Sequence, residues 1–508
     1  MKQIGIYILV CMMAFSATSC LDKYPENAIS ADDAITSIDE ADQAVIGIYS
    51  SFLSSALYSG YLTLLPDIQT DLVYAVNGYS NTYGDIWRWK DILATNGEIK
   101  AVYASLYAVI GRCNFLLDNA EALKKKLTDD DAIERLAQYC GEAYFARALA
   151  YAELIKLYCK SYEGDAEAQD ELGVVLRTSY ESDEPAKRAS LYDSYQQVLR
   201  DLDAAEEALV LGDDYNIAQN GYLYNATYFN EYTVCALRAR VALYMKDYDE
   251  AIKYSTKVID CGHYFLSSAT QLYDSQYSYY QYMWTSDNST EVIWKVGFTS
   301  TAYGGALGKV FFNYDYYSLK PDYVPAQWVL GLYAENDLRY STFFQTYTTG
   351  HTHGLTWPLL AKYWGNESFY NEAQLLNVSM PKVFRLSEMY LIRAEAYVQK
   401  ADYNKAGKDI TTLRKARYSS YGGGTSLNKD NAMTVIEEER VKELYMEGFR
   451  LMDLKRWHKG FKRTPQDQSL DNGSSLEVEK NDPRFVWPIP QHEIESPGAE
   501  IEPNESNK

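Results

Sequence analysis

Apolar residues recur at helical spacing along much of the chain. Ala41, Val45 and Ile48 fall on one face of a helix with a period of 3.6 residues, and polar residues occupy the other face. The helices predicted in this way cover residues 30–52, 99–127 and 191–211. The second of them ends in a lysine run, which is favourable at the negative end of a helix dipole.

A short motif recurs three times. Residues 147–151 (RALAY), 238–242 (RARVA) and 393–397 (RAEAY) share an arginine followed by small alanines. The second and third copies precede DYDEA at 247–251 and DYNKA at 402–406. Small residues let paired helices approach closely, and a tyrosine fills the gap at the turn, which is the pattern of tetratricopeptide repeats. Because the copies are unevenly spaced, we expect long insertions that emerge as loops.

The predicted fold is mainly α-helical, with tetratricopeptide-like repeats, long loop insertions and a few short strands such as residues 292–294. The predicted regions are a signal peptide at 1–19, a helical region at 20–263 with an early binding loop at about 66–98, a loop-rich insertion at 264–380, and a helical region at 381–508. Loops this long are uncommon unless they have a function.

The N-terminus has the features of an export signal. Lys2 precedes an apolar run over residues 4–15, and the small residues 16–19 lead to Cys20. The run is too short for a membrane span and suits a cleaved signal. The approach to the cysteine resembles a bacterial lipobox, although Ala17 stands where many lipoboxes have Leu. We therefore expect Cys20 to be lipidated and to anchor the mature chain.

Composition narrows the choice of partners. The chain has 508 residues, 47% hydrophobic and 23% charged, with a net charge of -22. Such a surface repels a phosphate backbone, so nucleic acid is not an expected partner. The 48 tyrosines exceed the needs of a core, because each buried hydroxyl requires a hydrogen-bond partner.

Aromatic residues cluster in the predicted loops among Asn and Asp. Sugar rings present apolar C–H faces and hydroxyl edges, so aromatic rings beside polar side chains suit an oligosaccharide. The candidate ligand-binding residues are Tyr79, Asn81, Tyr83, Trp87, Trp89, Tyr280, Tyr282, Trp284 and Tyr316. We expect Tyr83, Trp87, Tyr280 and Trp284 to converge on one platform, with the loops around Tyr314 and Trp357 as the next candidates. The alternative is that these rings pack the loops onto the helices.

Catalytic and metal-binding motifs are not found in the sequence. It contains no G-x-S-x-G, H-E-x-x-H, P-loop or dinucleotide fingerprint, and no C-x-x-C. His351 and His353 lie on a polar loop that favours solvation over metal binding. We predict no catalytic residue, no metal and no cofactor. Paired glycosidase carboxylates are defined by their separation in space, so an enzyme stays open as an alternative.

Three C-terminal segments carry a family resemblance. Residues 381–396 (PKVFRLSEMYLIRAEA), 437–457 (EEERVKELYMEGFRLMDLKRW) and 488–490 (PIP) followed by Glu493 resemble hallmarks of the SusD/RagB family of outer-membrane nutrient-binding lipoproteins. The charged residues of the second segment are interpreted as structural, with an acidic start and a basic end that suit a helix dipole.

The resemblance implies a function as well as a fold. It implies a surface-exposed lipoprotein of the bacterial outer membrane that binds a glycan and works beside a SusC-like TonB-dependent transporter. It also implies that ligand-contacting rings come from the early loop and from mid-chain loops. A peptide ligand, as in the RagB branch, a surface glycosidase and an adhesin for host glycans stay open as alternatives.

Overall fold

Helices dominate the structure, and the strands are few and short. The computed structural model describes residues 34–76, 81–181, 184–209, 226–314, 317–351, 354, 356–466 and 475–508. Within these ranges the predicted mainly α-helical fold is confirmed. No helix in this part of the chain is both long and apolar enough to cross a membrane. Cys20 lies outside the described residues.

The helices follow one another from the first to the last of the described ranges. They are α1 Ile38–Ser51, α2 Tyr61–Ile68, α3 Gly84–Trp87, α4 Gly97–Lys124, α5 Asp130–Tyr158, α6 Asp165–Asp170, α7 Leu191–Ala208, α8 Glu231–Tyr244, α9 Tyr248–Ile259, α10 Tyr279–Thr285, α11 Gln327–Leu330, α12 Leu338–Phe343, α13 Glu367–Ala373, α14 Leu386–Gln399, α15 Tyr403–Arg417, α16 Ala432–Glu443, α17 Arg450–Arg456 and α18 Gln491–Ile494. Polar N-caps start many of them; Ser37, for example, forms a capping box with Glu40 at the start of α1.

The repeated motif forms paired helices. Helix α8 packs on α9 and α14 packs on α15, while α9 also packs on α14. The turns inside the two pairs match: Lys246 and Ala401 have positive φ values of 61° and 58°, and each precedes an aspartate that caps the next helix. The first arginine of each motif pairs with an aspartate of a neighbouring helix: Arg147 with Asp201, Arg238 with Asp203, and Arg393 with Asp409.

Within the described ranges, short strands form five antiparallel pairs. The strands are β1 Val73–Ala75, β2 Leu172–Val175, β3 Arg188–Ser190, β4 Val292–Lys295, β5 Tyr323–Pro325, β6 Phe344–Thr348, β7 Thr356–Leu360, β8 Lys382–Arg385, β9 Phe461–Arg463 and β10 Leu476–Val478. Strand β1 of the early region pairs with β5 of the insertion, with Tyr74 opposite Val324. Strands β6 and β7 form a hairpin in which Tyr347 lies opposite Trp357.

A buried network of charges joins α16 to the insertion. The carboxylate of Glu443 lies 2.9 Å from both Arg385 and Arg417, and 3.2 Å from Arg339. Burial alone would raise the pKa of Glu443, but the three arginines outweigh burial and hold the pKa well below its usual value. Arg385 and Arg417 also share Glu291. Arg385 and Glu443, which belong to the segments 381–396 and 437–457 that carry the family resemblance, therefore have a structural role.

One large hydrophobic core draws residues from the early, middle and C-terminal parts of the chain, from Ile35 to Ile501. A smaller cluster lies between α14, α15 and α16. Five cysteines in the described residues are free thiols, namely Cys113, Cys140, Cys159, Cys235 and Cys261. The insertion contributes short helices and buried residues such as Tyr280 and Phe343 to the same core, so it packs as part of the folded body.

Candidate functional site

The early loop is joined to a loop of the insertion through Asp322. Asn81 donates a hydrogen bond from Nδ2 to Asp322 Oδ1 at 3.2 Å, and the backbone N–H of Thr82 donates to the same oxygen at 3.2 Å. Asn313 donates to the other carboxylate oxygen. Burial raises the pKa of Asp322, while the hydrogen bonds it accepts act in the opposite direction. The Tyr323 hydroxyl donates to the carbonyl of Thr82 at 2.6 Å, which fixes the same junction.

Next to Asn313 of this junction lies a group of rings, which we call the aromatic patch: buried Phe312 with the partly exposed Tyr347 and Trp364 that it contacts, and the exposed Tyr314 and Tyr317 that follow Phe312 along the chain. The rings of Tyr347 and Trp364 are nearly parallel, at 8°, with centroids 5.7 Å apart. Phe312 meets Trp364 edge-on at 4.6 Å. Trp364 is 48% exposed and Tyr314 is 66% exposed, so large apolar areas face solvent. Flat rings with restricted rotation are suited to stacking on a ligand.

The backbone after Trp364 has a conformation that glycine permits, and a hydrogen bond from Asn377 holds it there. Gly365 has φ of 122°, which L side chains rarely adopt. An added Cβ would also lie 3.0 Å from the backbone nitrogen of Asn377. Asn377 donates from Nδ2 to the carbonyl of Trp364 at 2.9 Å. The ring is therefore presented from a held backbone rather than from a free loop.

A layer of buried rings includes Tyr363, the residue before Trp364. Trp284 is 4% exposed and contacts Tyr363 with centroids 6.3 Å apart. The ammonium of Lys362 lies 4.2 Å from the centroid of the Trp284 ring, a cation–π contact. Burial lowers the pKa of Lys362 to about 8, although Glu447 acts in the opposite direction. This layer is closed to solvent, and it is joined to the aromatic patch through the chain from Tyr363 to Trp364.

Four of the predicted platform and loop rings are core residues, which corrects their assignment to the site. Trp87, Trp89, Tyr280 and Trp284 are 1%, 3%, 0% and 4% exposed. Trp87 packs under the guanidinium of Arg463, 4.3 Å from its ring centroid. A ring without an exposed face cannot stack on a sugar. The predicted platform of Tyr83, Trp87, Tyr280 and Trp284 is therefore not an exposed surface in the folded chain.

The other predicted residues have different positions. Asn81 is buried in the Asp322 junction. Tyr83 has φ of 62° and is partly buried, with its ring edge-on to Tyr61 at 5.8 Å. Tyr282 stacks on Tyr273 with centroids 3.7 Å apart. Tyr79 and Tyr316 lie outside the described residues.

Trp364 and Tyr347 were missed as candidates from the sequence. The signal that could have found Trp364 is its place directly before a glycine and an asparagine in a polar stretch. Tyr314 was named only as a next candidate, and Trp357, also a next candidate, lies opposite Tyr347 in the β6–β7 hairpin. The contact of Tyr347 with Trp364 and its pairing with Trp357 join residues of different elements, which the sequence does not display.

The His, Cys and carboxylate side chains of the described part of the chain are not grouped as metal ligands. No group of three or more His, Cys, Asp or Glu side chains there could hold a metal ion. Asp322 is the carboxylate of the junction beside the aromatic patch. Its oxygens accept hydrogen bonds from Asn81, Thr82 and Asn313. The arrangement offers stacking faces and hydrogen-bonding edges.

Two family models match the chain. One, described as the SusD family, matches residues 355–499, and the other, described as starch-binding and associating with the outer membrane, matches residues 21–243. SusD-like protein P38 of Formosa agariphila is 24% identical over 557 residues and covers 98% of each chain. SusD-like protein P25 of the same organism is 25% identical over 169 residues, so the match spans 31% of this chain and 30% of that protein.

Solved structures share the fold. A SusD superfamily protein from Bacteroides thetaiotaomicron has a TM-score of 0.76 at 23% identity and covers 92% of this chain and 99% of its own. Surface glycan-binding protein A from Bacteroides fluxus has a TM-score of 0.67 at 18% identity, with coverage of 92% and 99%. At these identities the likeness concerns the fold.

Proposed function

Because the chain belongs to the SusD/RagB family, we propose that it binds an oligosaccharide at the bacterial cell surface and catalyses no reaction. The observation that carries the proposal is the aromatic patch, in which Trp364 stacks on Tyr347 and keeps about half of its own surface open to solvent. Stacked rings in a fixed backbone bind sugar faces with little loss of side-chain entropy. One matching family model is described as starch-binding, and one protein of similar fold is named a surface glycan-binding protein. Both descriptions support the same ligand class.

The proposal includes a place and a partner. Lipidation at Cys20 would hold the protein on the outer membrane, facing outward, and a SusC-like TonB-dependent transporter beside it would import the captured glycan. Support comes from the lipobox-like residues 16–19 and from the family model described as associating with the outer membrane. A peptide ligand and a surface glycosidase are the outcomes that the tests below distinguish.

The binding proposal is tested on Trp364. Purified protein is screened on a glycan array that also carries peptides, and the strongest hit is titrated by calorimetry against Trp364→Ala. Truncation of a central stacking ring should cost on the order of 2 kcal/mol, or about 30-fold in affinity. The melting temperature should fall only slightly, because about half of the ring is exposed and the packing lost is limited to its contacts with Phe312 and Tyr347.

The control is Tyr180→Ala, an equally exposed ring outside the aromatic patch that is 51% exposed. It should bind as the wild type does. Normal binding by Trp364→Ala would remove the patch from the site, and a peptide as the strongest hit would favour the alternative ligand. Chromatographic evidence of glycan cleavage in the same mixtures would favour the glycosidase.

Anchoring is tested separately by Cys20→Ala. Loss of the thiol removes the site of acylation, so the variant should move from the membrane fraction to the soluble fraction. Intact-mass analysis of the wild type should show an acylated N-terminus at Cys20. An unacylated N-terminus at another residue would contradict the proposed anchor.

A further inference from the structure

A groove outside the aromatic patch opens between α1 and the segment that carries β4. It encloses a volume of about 370 Å³. Its walls and floor include Tyr49, Phe52, Tyr228, Trp294 and Phe298. The groove is large enough for part of a small ligand. None of these lining residues is among the candidate ligand-binding residues named from the sequence.

The floor of the groove is rigid and apolar. Phe52 and Trp294 are each 1% exposed and meet edge-on, with centroids 5.4 Å apart. The backbone of Gly297 packs closely against Thr227 at the edge of the floor. A Cβ at Gly297 would lie only 2.8 Å from Thr227 Cγ2. Tightly packed aromatic groups of this kind hold a fixed shape.

The wall of the groove presents one ring to solvent. Tyr228 is 46% exposed and is held edge-on against Tyr49, with centroids 5.5 Å apart and planes at 78°. Tyr49 is fixed in turn, since its hydroxyl donates to Glu142 at 2.7 Å and accepts from the N–H of Phe229 at 2.9 Å. A ring fixed from behind and open in front is a stacking surface.

The described residues that line the groove include no charged side chain. This is informative in a chain with 23% charged residues and a net charge of -22. Hydroxyl groups are present at Ser50, Thr227 and Thr299. Burying an ion without a partner is costly, so the groove suits a neutral ligand with apolar faces and hydroxyl edges.

The groove and the aromatic patch flank the same short helix. Phe298 of the groove lies against Phe369 of α13, with ring centroids 6.5 Å apart. Helix α13 begins at Glu367, three residues after Trp364 of the aromatic patch. Tyr370, on the same helix, is 47% exposed. A seven-residue helix is only about 10 Å long, so the aromatic patch and the groove adjoin the same short segment of chain.

We infer that the groove is a second stacking site, which holds further sugar residues of the oligosaccharide bound at the aromatic patch. The ligand is then a neutral glycan of several residues rather than a mono- or disaccharide. The inference rests on the proposed function, and it adds the length and the charge of the ligand. Binding at two linked sites strengthens affinity because the second contact is intramolecular.

The test is a length series. The probes are maltose to maltoheptaose, or the matching size series if the array selects another neutral backbone, titrated by calorimetry. Tyr228→Ala removes the exposed wall, and Ser50→Trp fills the groove from an exposed position. Both should lower the affinity for the longest probe by roughly 5-fold and leave the affinity for the shortest probe unchanged. Tyr180→Ala is the matched control, since it removes an equally exposed tyrosine elsewhere.

Each result decides one of the two claims. If affinity rises with length but both variants bind long probes as the wild type does, the second site is wrong and the binding proposal stands. Stronger binding of a uronic-acid series would also contradict the neutral groove. If the wild type binds no glycan at all, both claims fail. Melting temperatures identify a variant that is misfolded, and the other variant then decides.

Discussion

Glu142 is a buried acid whose protonation affects folding. Its Oε2 accepts a hydrogen bond from the Tyr49 hydroxyl at 2.7 Å, and Oε1 accepts one from Gln138 at 3.2 Å. Burial raises the pKa of Glu142 to about 7, and these hydrogen bonds only partly oppose the rise. The folded state therefore binds this proton more strongly than the unfolded state, whose carboxyl has its ordinary pKa of 4.5.

The sign of the pH dependence follows from this difference. The stabilisation by the protonated form is complete below pH 4.5 and is lost as the pH rises towards 7. Glu142→Gln cannot titrate and keeps the acceptor for Tyr49. Relative to the variant, the wild type should lose free energy of unfolding on the order of 3 kcal/mol across this window.

Urea denaturation at several pH values across the window measures this loss. Glu134→Gln, at an exposed position of the same helix, is the control and should follow the wild type. A constant difference between wild type and Glu142→Gln at every pH would contradict the buried, raised pKa.

Single aromatic residues were the least predictable feature of the sequence. Trp87 and Trp89 stand among polar residues in a loop, as a binding residue would, yet both are buried. What covers Trp87 is Arg463, which lies 376 residues further along the chain and donates to the Trp87 carbonyl. Contacts over such separations depend on the whole fold, so the local pattern could not tell a core ring from an exposed one.

At the scale of elements, α16 depends on a charge that is buried with its partners. Glu443 neutralises Arg385, Arg417 and Arg339 in the interior. Glu443→Gln would leave these arginines without one of their shared counter-charges. Removal of one partner from a buried ion network destabilises a protein by about 3–5 kcal/mol. The free energy of unfolding, measured by denaturant titration, should fall by that amount.

Glu438→Gln on the same helix is the matched control, because Glu438 is only partly buried and stands outside this network. Its effect should stay within about 0.5 kcal/mol. A similar loss of unfolding free energy in both variants would mean that the helix is sensitive to either substitution. It would contradict a particular contribution of the buried network to stability.

Elements were predictable where the pattern was local. The helices α1, α4 and α7 lie within the predicted segments 30–52, 99–127 and 191–211, apart from the first two residues of α4. The repeated motif gave matched turns at Lys246 and Ala401, because an aspartate cap and a following tyrosine specify the same turn twice. Helix α10 was not foreseen within the insertion; its capping box of Ser278 and Gln281 is the signal that was overlooked.

At the scale of the whole molecule, charge and binding surface are separated. The net charge is -22, and the buried arginines are paired with equally buried carboxylates, so they do not offset the acidic excess of the rest of the chain. The groove beside α1 is uncharged, and the aromatic patch consists of rings. A neutral ligand would gain little from the surrounding field, whereas a cationic peptide would be attracted by it.

Ionic strength therefore distinguishes the two ligand classes. Salt screens exposed charges, with a Debye length of about 10 Å at 0.1 M and about 3 Å at 1 M. The Kd for a neutral oligosaccharide should change by less than about 2-fold over this range of NaCl, because stacking and hydrogen bonding carry the affinity. Calorimetry at each salt concentration measures this, and oligolysine serves as the control whose weak attraction to the acidic surface should disappear. A steep loss of affinity for the array hit itself would mean that charge drives its binding, which would contradict the neutral glycan and support a cationic peptide.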